Sequence, residues 1–241
     1  DFARKLTSIL PSSLQAVYPV NSGTEANEAA MKLVKRVTGR SEIIAFKGSY
    51  HGSTHGSMSI SYNELKKTKY RPLVPGIRFI TLNQVQELEQ ITTATAGVIL
   101  ETIQGGAGFI EPKNNYLAKV RAKCDAVGAL LILDEIQPGI GRTGKLFGFE
   151  HYNCIPDILV TGKGLGGGMP IGAFTSSKKL MDLLSENPKL GHITTFGGHP
   201  VIAASALATL TEITESKLMA QTLEKEQLIR KLLVHPLLIE I

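Results

Sequence analysis

The chain has 241 residues, 43% of them hydrophobic and 20% charged, an ordinary globular balance at a length able to bury a large core. The formal charge of +5 is modest, no apolar run reaches the roughly 18 residues a membrane helix needs, and the opening DFARKLTSIL is no signal peptide. These features speak against a membrane protein and for a soluble, cytoplasmic one; two cysteines without metal-ligand spacing, Cys124 and Cys154, agree with a reducing compartment.

In chain order, the first predicted element is a helix over 24–38, within NSGTEANEAAMKLVKRVTGR (21–40). Ser22 and Glu25 match the S-x-x-E capping box, and Ala26, Ala29, Ala30, Leu33, Val34 and Val37 supply one apolar face. Asn21, Ser22, Gly23 and Thr24 bring free backbone N–H groups and two hydroxyls to the helix start. Unpaired donors and the helix dipole both favour an anion there, a phosphate above all, although a plain helix cap has the same sequence. A strand, EIIAFKG (42–48), comes next, and then Tyr50, His51 and Gly52. His51 and His55 stand four apart, but the Gly-Ser-Thr between them disfavours a metal-binding helix. The densest basic stretch, KKTKYR (66–71), reads as a solvated, mobile loop, because no nucleic-acid module accompanies it.

Further strands are predicted at IRFITL (77–82), GVILETI (97–103), ALLILDE (129–135), DILVTGK (157–163) and IGAFTSS (171–177). Helices are predicted over 114–127, 178–185, 200–214 and 217–233. Continuous apolar strands alternating with amphipathic helices predict an α/β fold, with a mainly parallel sheet covered on both faces. The last forty residues turn all-helical, as at the approach to a second subdomain. In such sheets ligands gather at the carboxyl ends of the strands. The polar residues there are Glu101, Asp134, Gln137 and Lys163.

Two tempting motifs fail. GIGRTGKL (139–146) has Leu146 where a P-loop needs a magnesium-binding hydroxyl. GKGLGG (162–167) follows a strand as a dinucleotide fingerprint should, but Gly168, Pro170 and Gly172 follow at once where a helix must open. Asp134 ends a buried strand with no histidine or cysteine nearby, so it is a base, a partner for a cofactor's cation, or a turn cap, and not a metal ligand. Lys163, delivered by a strand into a glycine bend, suits a Schiff-base nucleophile; the alternative is an exposed surface lysine. A phosphate site, a strand-end aspartate and a strand-end lysine are together what pyridoxal phosphate requires.

With NSGTEANEAAMK, YHG, ETIQGGAGF, LILDEIQPGIGRTGK, TGKGLGGGMPIGA and TTFGGHP in that order, the chain resembles the class III aminotransferases. That family includes acetylornithine, ornithine and 4-aminobutyrate aminotransferases, and it implies a fold type I large domain. The resemblance implies that Lys163 holds the cofactor as a Schiff base and then shuttles a proton, and that Asp134 keeps its pyridine nitrogen protonated. It implies phosphate contacts from Ser22, Gly23 and Thr24, ring contacts from Tyr50 and Ile136, and a bond from Gln137 to the ring hydroxyl. Glu101 falls near the substrate, Thr195 reaches the phosphate of a neighbouring subunit in a homodimer with shared active sites, and His51 is structural support. The implied reaction moves an amino group from an ω-amino donor of the acetylornithine or ornithine type to a 2-oxo acid such as 2-oxoglutarate.

Thr102 replaces a frequent family proline, Gly106 a second glutamate, Pro138 a threonine and His199 an asparagine. The changes near Gly106 bear on substrate choice. The resemblance also implies a large domain over 1–214 whose usual N-terminal segment is missing, and the start of a truncated small domain over 215–241. A substrate-binding arginine would lie outside the chain. Other ω-amine transaminases, a racemase or aminomutase of the same fold, and a noncatalytic cofactor-binding fragment remain alternatives.

Overall fold

A computed structural model describes residues 1–237 of the protein; the end of the predicted second subdomain, 238–241, lies outside the described residues. The elements run α1 (Phe2–Ser8), β1 (Ala16–Val20), α2 (Gly23–Thr38), β2 (Glu42–Phe46), α3 (His55–Ile60), α4 (Glu64–Lys67) and β3 (Ile77–Ile80). They continue with β4 (Thr95–Glu101), α5 (Tyr116–Val127), β5 (Leu130–Asp134), β6 (Ile158–Gly162), β7 (Gly172–Ser176), α6 (Lys178–Ser185), α7 (Pro200–Glu215) and α8 (Gln221–Leu232). Seven strands form one sheet in the order β1-β7-β6-β5-β4-β2-β3. The pairs from β6 to β3 are parallel, whereas β7 runs antiparallel to both its neighbours. The fold is the predicted α/β architecture with a mainly parallel sheet.

The strands read as unbroken apolar runs because both faces are covered. All seven residues of β4 are buried. Its side chains alternate in destination: Val98 and Leu100 join a core beneath α1, α5 and α7, while Ile99 joins the core beneath α2 and α6. Each fully buried Leu, Ile or Val contributes about 1.5–3 kcal/mol, so these two layers hold the fold. Among the described residues no helix is long and apolar enough to cross a membrane.

Three features differ from expectation. β1 is an edge strand without a sequence signal, since Pro19 interrupts it; opposite Ala173 at the sheet edge, its missing N–H costs no interior ladder bond. The capping box is displaced: the Glu25 N–H donates to Ser22 Oγ at 3.3 Å, but the Glu25 carboxylate accepts from the backbone N–H of Asn21 at 3.0 Å, one residue further back. The basic stretch 66–71 is not simply a solvated loop. Lys67 is only 3% exposed, and its ammonium donates to the Ser61 carbonyl at 2.9 Å and lies 4.6 Å from the centre of the Phe79 ring. Burial pushes that ammonium below the usual lysine range.

α8 buries none of its residues. The functional interest therefore moves to the other edge of the core, where β4, β5 and β6 end side by side.

Candidate active site

Parallel pairing sets Glu101 of β4 directly opposite Asp134 of β5, and Asp134 opposite Val160 of β6. Lys163 follows the last residue of β6 in a tight 3-10 turn, Lys163–Gly166, with φ +44. A left-handed backbone at a non-glycine residue is strained, and such strain gathers where the surroundings hold a side chain in a required direction. Here the direction is into a cavity of about 250 Å³. Gly23, Thr24, Tyr50, Glu101, Asp134, Ile136, Gln137 and Lys163 all line it. Eight residues spread from 23 to 163 in the sequence thus share one space.

The Lys163 ammonium donates to Gln137 Oε1 at 2.9 Å and, among the described residues, pairs with no carboxylate. Asp134 is 2% exposed, and among the described residues each group hydrogen-bonded to its carboxylate is a donor. Its Oδ2 accepts from Asn27 Nδ2 at 2.9 Å and His51 Nδ1 at 2.8 Å, and its Oδ1 accepts from the Ile136 N–H at 3.0 Å. Since a carboxylate only accepts, the shared proton marks Nδ1 as the protonated nitrogen of His51. Asn27 also donates to the His51 carbonyl at 2.8 Å, so helix α2 and the turn after β2 clamp the aspartate together.

Glu101, 4% exposed, accepts from the Tyr50 N–H at 2.9 Å and the Gly105 N–H at 3.2 Å. Burial pushes its carboxyl above the ordinary range; the nearby His51 opposes this shift and Asp134 adds to it. Tyr50 is 51% exposed at the cavity wall, with its hydroxyl 3.1 Å from Ser53 Oγ.

At the start of α2, the Thr24 hydroxyl meets those of Thr54 and Ser57. Gly23 and Gly52 keep this corner open: a Cβ on Gly23 would strike Ile136, and one on Gly52, where φ is +131, would strike Thr24. Ser22 caps the helix one step behind the lining residues. Thr195 is the predicted residue that stands apart. It borders a separate cavity of about 390 Å³ with Asn21, Glu25 and His192.

Residues 1–236 match the family model described as aminotransferase class-III. The chain belongs to that family. Among curated members of the class III aminotransferases, it is 38% identical over 233 residues to the [LysW]-aminoadipate semialdehyde/glutamate semialdehyde transaminase of Sulfurisphaera tokodaii, covering 97% of this chain and 59% of that protein. It is 44% identical over 230 residues to the putrescine aminotransferase of Pectobacterium atrosepticum, covering 91% of this chain and 49% of that one. The chain therefore spans about half to three-fifths of the length of these relatives. Among solved structures, ornithine aminotransferase from Toxoplasma gondii, seen with partial occupancy of pyridoxal phosphate, superposes with a TM-score of 0.90 at 31% identity, covering 100% of this chain and 59% of that chain. Taurine:2-oxoglutarate aminotransferase from Bifidobacterium kashiwanohense gives 0.87 at 27% identity, covering 95% and 57%.

Sequence reasoning missed the parts played by Asn27 and Glu135 and gave His51 no more than structural support. Asn27 and His51 hold Asp134, yet they stand 107 and 83 positions from it, so nothing local announces the contact. Glu135 is wholly buried behind the site and accepts from Thr102 Oγ1 at 2.6 Å and from the N–H groups of Gly148 and Phe149, both at 2.8 Å. Burial pushes its carboxyl up to about 7 despite these three donors. Strand alternation was the available signal, because adjacent carboxylates at a strand end point to opposite faces.

Proposed function

We propose that the protein is a pyridoxal-phosphate-dependent aminotransferase, taking an amino group from an ω-amino donor and passing it to a 2-oxo acid such as 2-oxoglutarate. The observation that carries this reading is the Lys163 ammonium, with no carboxylate partner among the described residues, in one cavity with an aspartate whose carboxylate is held by three donors. A group that is anionic at one end, cationic at the other and an aldehyde between them fits these residues.

The α2 start, with Gly23 and Thr24, would receive the phosphate, and the open corner that glycines keep there supports this. Ser22 would add its backbone end. Asp134 would hold the pyridine nitrogen protonated, Tyr50 and Ile136 would face the ring, and Gln137 would turn from Lys163 to the ring hydroxyl. When bound, the cofactor supplies an aldehyde that takes up the amine and a ring that spreads negative charge from the carbon losing its proton. Lys163 Nζ would take up that proton and give it back on the far side of the shared nitrogen. Asp134, clamped by His51 and Asn27, needs no reorganisation as charge develops, which is how fixed dipoles lower a barrier. Glu101 lies on the substrate side.

A homodimer completes the reading: Thr195, exposed beside Phe196 and away from its own cavity, would serve the phosphate of a second copy. Residues 1–214 form the cofactor-binding domain in this view, and the region from 215 begins a smaller one, consistent with an α8 that buries nothing.

The test is the visible absorption of the protein with pyridoxal phosphate, beside Lys163→Ala. The wild type develops a band that an amino donor discharges and a 2-oxo acid restores. Lys163→Ala lacks that cycle and loses turnover, while still retaining some cofactor. Normal turnover in the variant overturns the assignment.

A further inference from the structure

We propose that Ser57 is a positioning residue for the anionic end of the cofactor: acting through the Thr24 hydroxyl, it aims a proton into the corner that would receive the phosphate. This rests on the aminotransferase reading above and adds a layer of residues behind Gly23 and Thr24.

Three hydroxyls meet at this corner, from α2, from the turn before α3 and from α3 itself. Thr24 Oγ1 lies 2.5 Å from Ser57 Oγ and 2.7 Å from Thr54 Oγ1, and Ser57 and Thr54 are 2.9 Å apart. Thr24 lines the Lys163 cavity, whereas Ser57 is wholly buried. Each hydroxyl has a single proton, so the direction of the bonds follows from where the chain ends. It ends on Glu28, one turn along α2. The Glu28 carboxylate accepts from the Thr54 hydroxyl at 2.5 Å and from the N–H groups of Gly56 and Ser57 at 2.8 and 3.0 Å. A carboxylate only accepts, so the Thr54 proton is committed there and Thr54 Oγ1 faces the other two hydroxyls as an acceptor.

Thr24 Oγ1 also accepts from the Thr54 N–H at 3.3 Å. Its nearest neighbour is the Ser57 hydroxyl, whose other acceptors, Thr54 Oγ1 and the Thr54 carbonyl, are further away at 2.9 and 3.2 Å. With Ser57 donating to it as well, Thr24 has both lone pairs filled and its own proton to give. That proton can turn to Thr54 or to an anion in the corner, and the anion is the stronger acceptor. Turning it outward strands no oxygen, because Thr54 still donates to Glu28 and Ser57 still donates to Thr24. A hydroxyl that accepts while it donates is polarised and bonds more strongly. Gly52 makes the room, since a Cβ there would strike both Thr24 and Ser57.

The experiment titrates the protein, stripped of cofactor, with pyridoxal phosphate and with pyridoxal, which lacks the phosphate, and reads equilibrium binding by absorbance. Ser57→Ala, Thr24→Ala and the double variant are compared with wild type. Ser57→Ala weakens pyridoxal phosphate about three- to tenfold and leaves pyridoxal within about twofold. In the Thr24→Ala background the same change costs less than about twofold, because its route to the phosphate is already gone. Should Ser57→Ala fail to fold, Ser57→Cys carries the same expectation, since a thiol is a poor donor. Wild-type affinity for pyridoxal phosphate in the Ser57 variant overturns the proposal. So does equal weakening of both ligands, or a loss that simply adds to that of Thr24→Ala. Each of these leaves the aminotransferase reading intact. A wild type that binds neither ligand ends the aminotransferase reading, and the proposal falls with it.

Discussion

Asp134 and Glu135 are consecutive residues of the same chemical kind, yet they belong to two regions with opposite demands. Asp134 faces the cavity floor, where side chains of Asn27 and His51 hold it. Glu135 faces the interior behind that floor, where it joins the end of β4, through Thr102, to the backbone at Gly148 and Phe149. The first is held by two side chains and one backbone N–H and keeps an edge on open space; the second is sealed by two backbone N–H groups and the Thr102 hydroxyl. What a carboxylate does here is decided by who donates to it and by whether a ligand can reach it.

The contrast breaks most visibly at Glu135. Glu135→Ala leaves a hydroxyl and two buried N–H groups without an acceptor, at a cost of about 4 kcal/mol at pH 5, with correspondingly earlier thermal unfolding. The sign with pH is opposite to that of a salt-bridged acid. The folded-state value of about 7 lies above the ordinary 4.5, so the unfolded chain releases this proton first as pH rises. Stability from Glu135 is complete below about 4.5, declines by up to about 3 kcal/mol as pH climbs to 7, and then levels. The gap between wild type and Glu135→Ala in chemical denaturation therefore narrows from pH 5 to pH 8. A gap that widened instead would mean burial does not govern this group.

Asp134→Asn sharpens the other half. The amide keeps the shape but cannot hold a protonated ring nitrogen, and it sets an NH₂ against one of three donors. Turnover falls about a hundred- to a thousandfold, as when a single preorganised electrostatic partner is removed, while stability drops by only about 1–2 kcal/mol. Steady-state kinetics beside denaturation on the same sample separates the two. A variant that unfolds as readily as Glu135→Ala would show that Asp134, too, is chiefly structural.

How far the sequence speaks follows the same division. Period and punctuation make the parallel strands and most helices legible, because a strand buried on both faces must be a continuous apolar run. Lys163, Asp134 and Gln137 are legible as strand-end polar residues, since the fold forces ligands to that edge. The clamp of Asn27 and His51 is not, because side chains of two other elements meet Asp134 only once the sheet has formed. β1 hides behind Pro19. Lys67 hides among like residues: composition marks 66–71 as solvent-loving, and only packing against Phe79 selects the one lysine that turns inward.

The smallest effect tests whether the two regions are independent. Thr102 sits between Glu101 and the Glu135 clasp; its hydroxyl donates to Glu135, and its N–H reaches the Asp134 carbonyl at 3.4 Å. Thr102→Val keeps the shape and removes only the hydroxyl bond, costing about 1–2 kcal/mol at neutral pH, and Thr102→Ser recovers most of it. The bond favours the ionised carboxyl, so losing it pushes Glu135 further up and shifts the end of the stability decline to higher pH. At pH 5, where the carboxyl is protonated in the folded state, the cost shrinks. The Asp134 side chain keeps all its donors, so turnover stays within about threefold of wild type. A turnover loss approaching that of Asp134→Asn would mean the clasp steers the aspartate through the strand ends, and the two carboxylates would then have to be treated as one coupled unit.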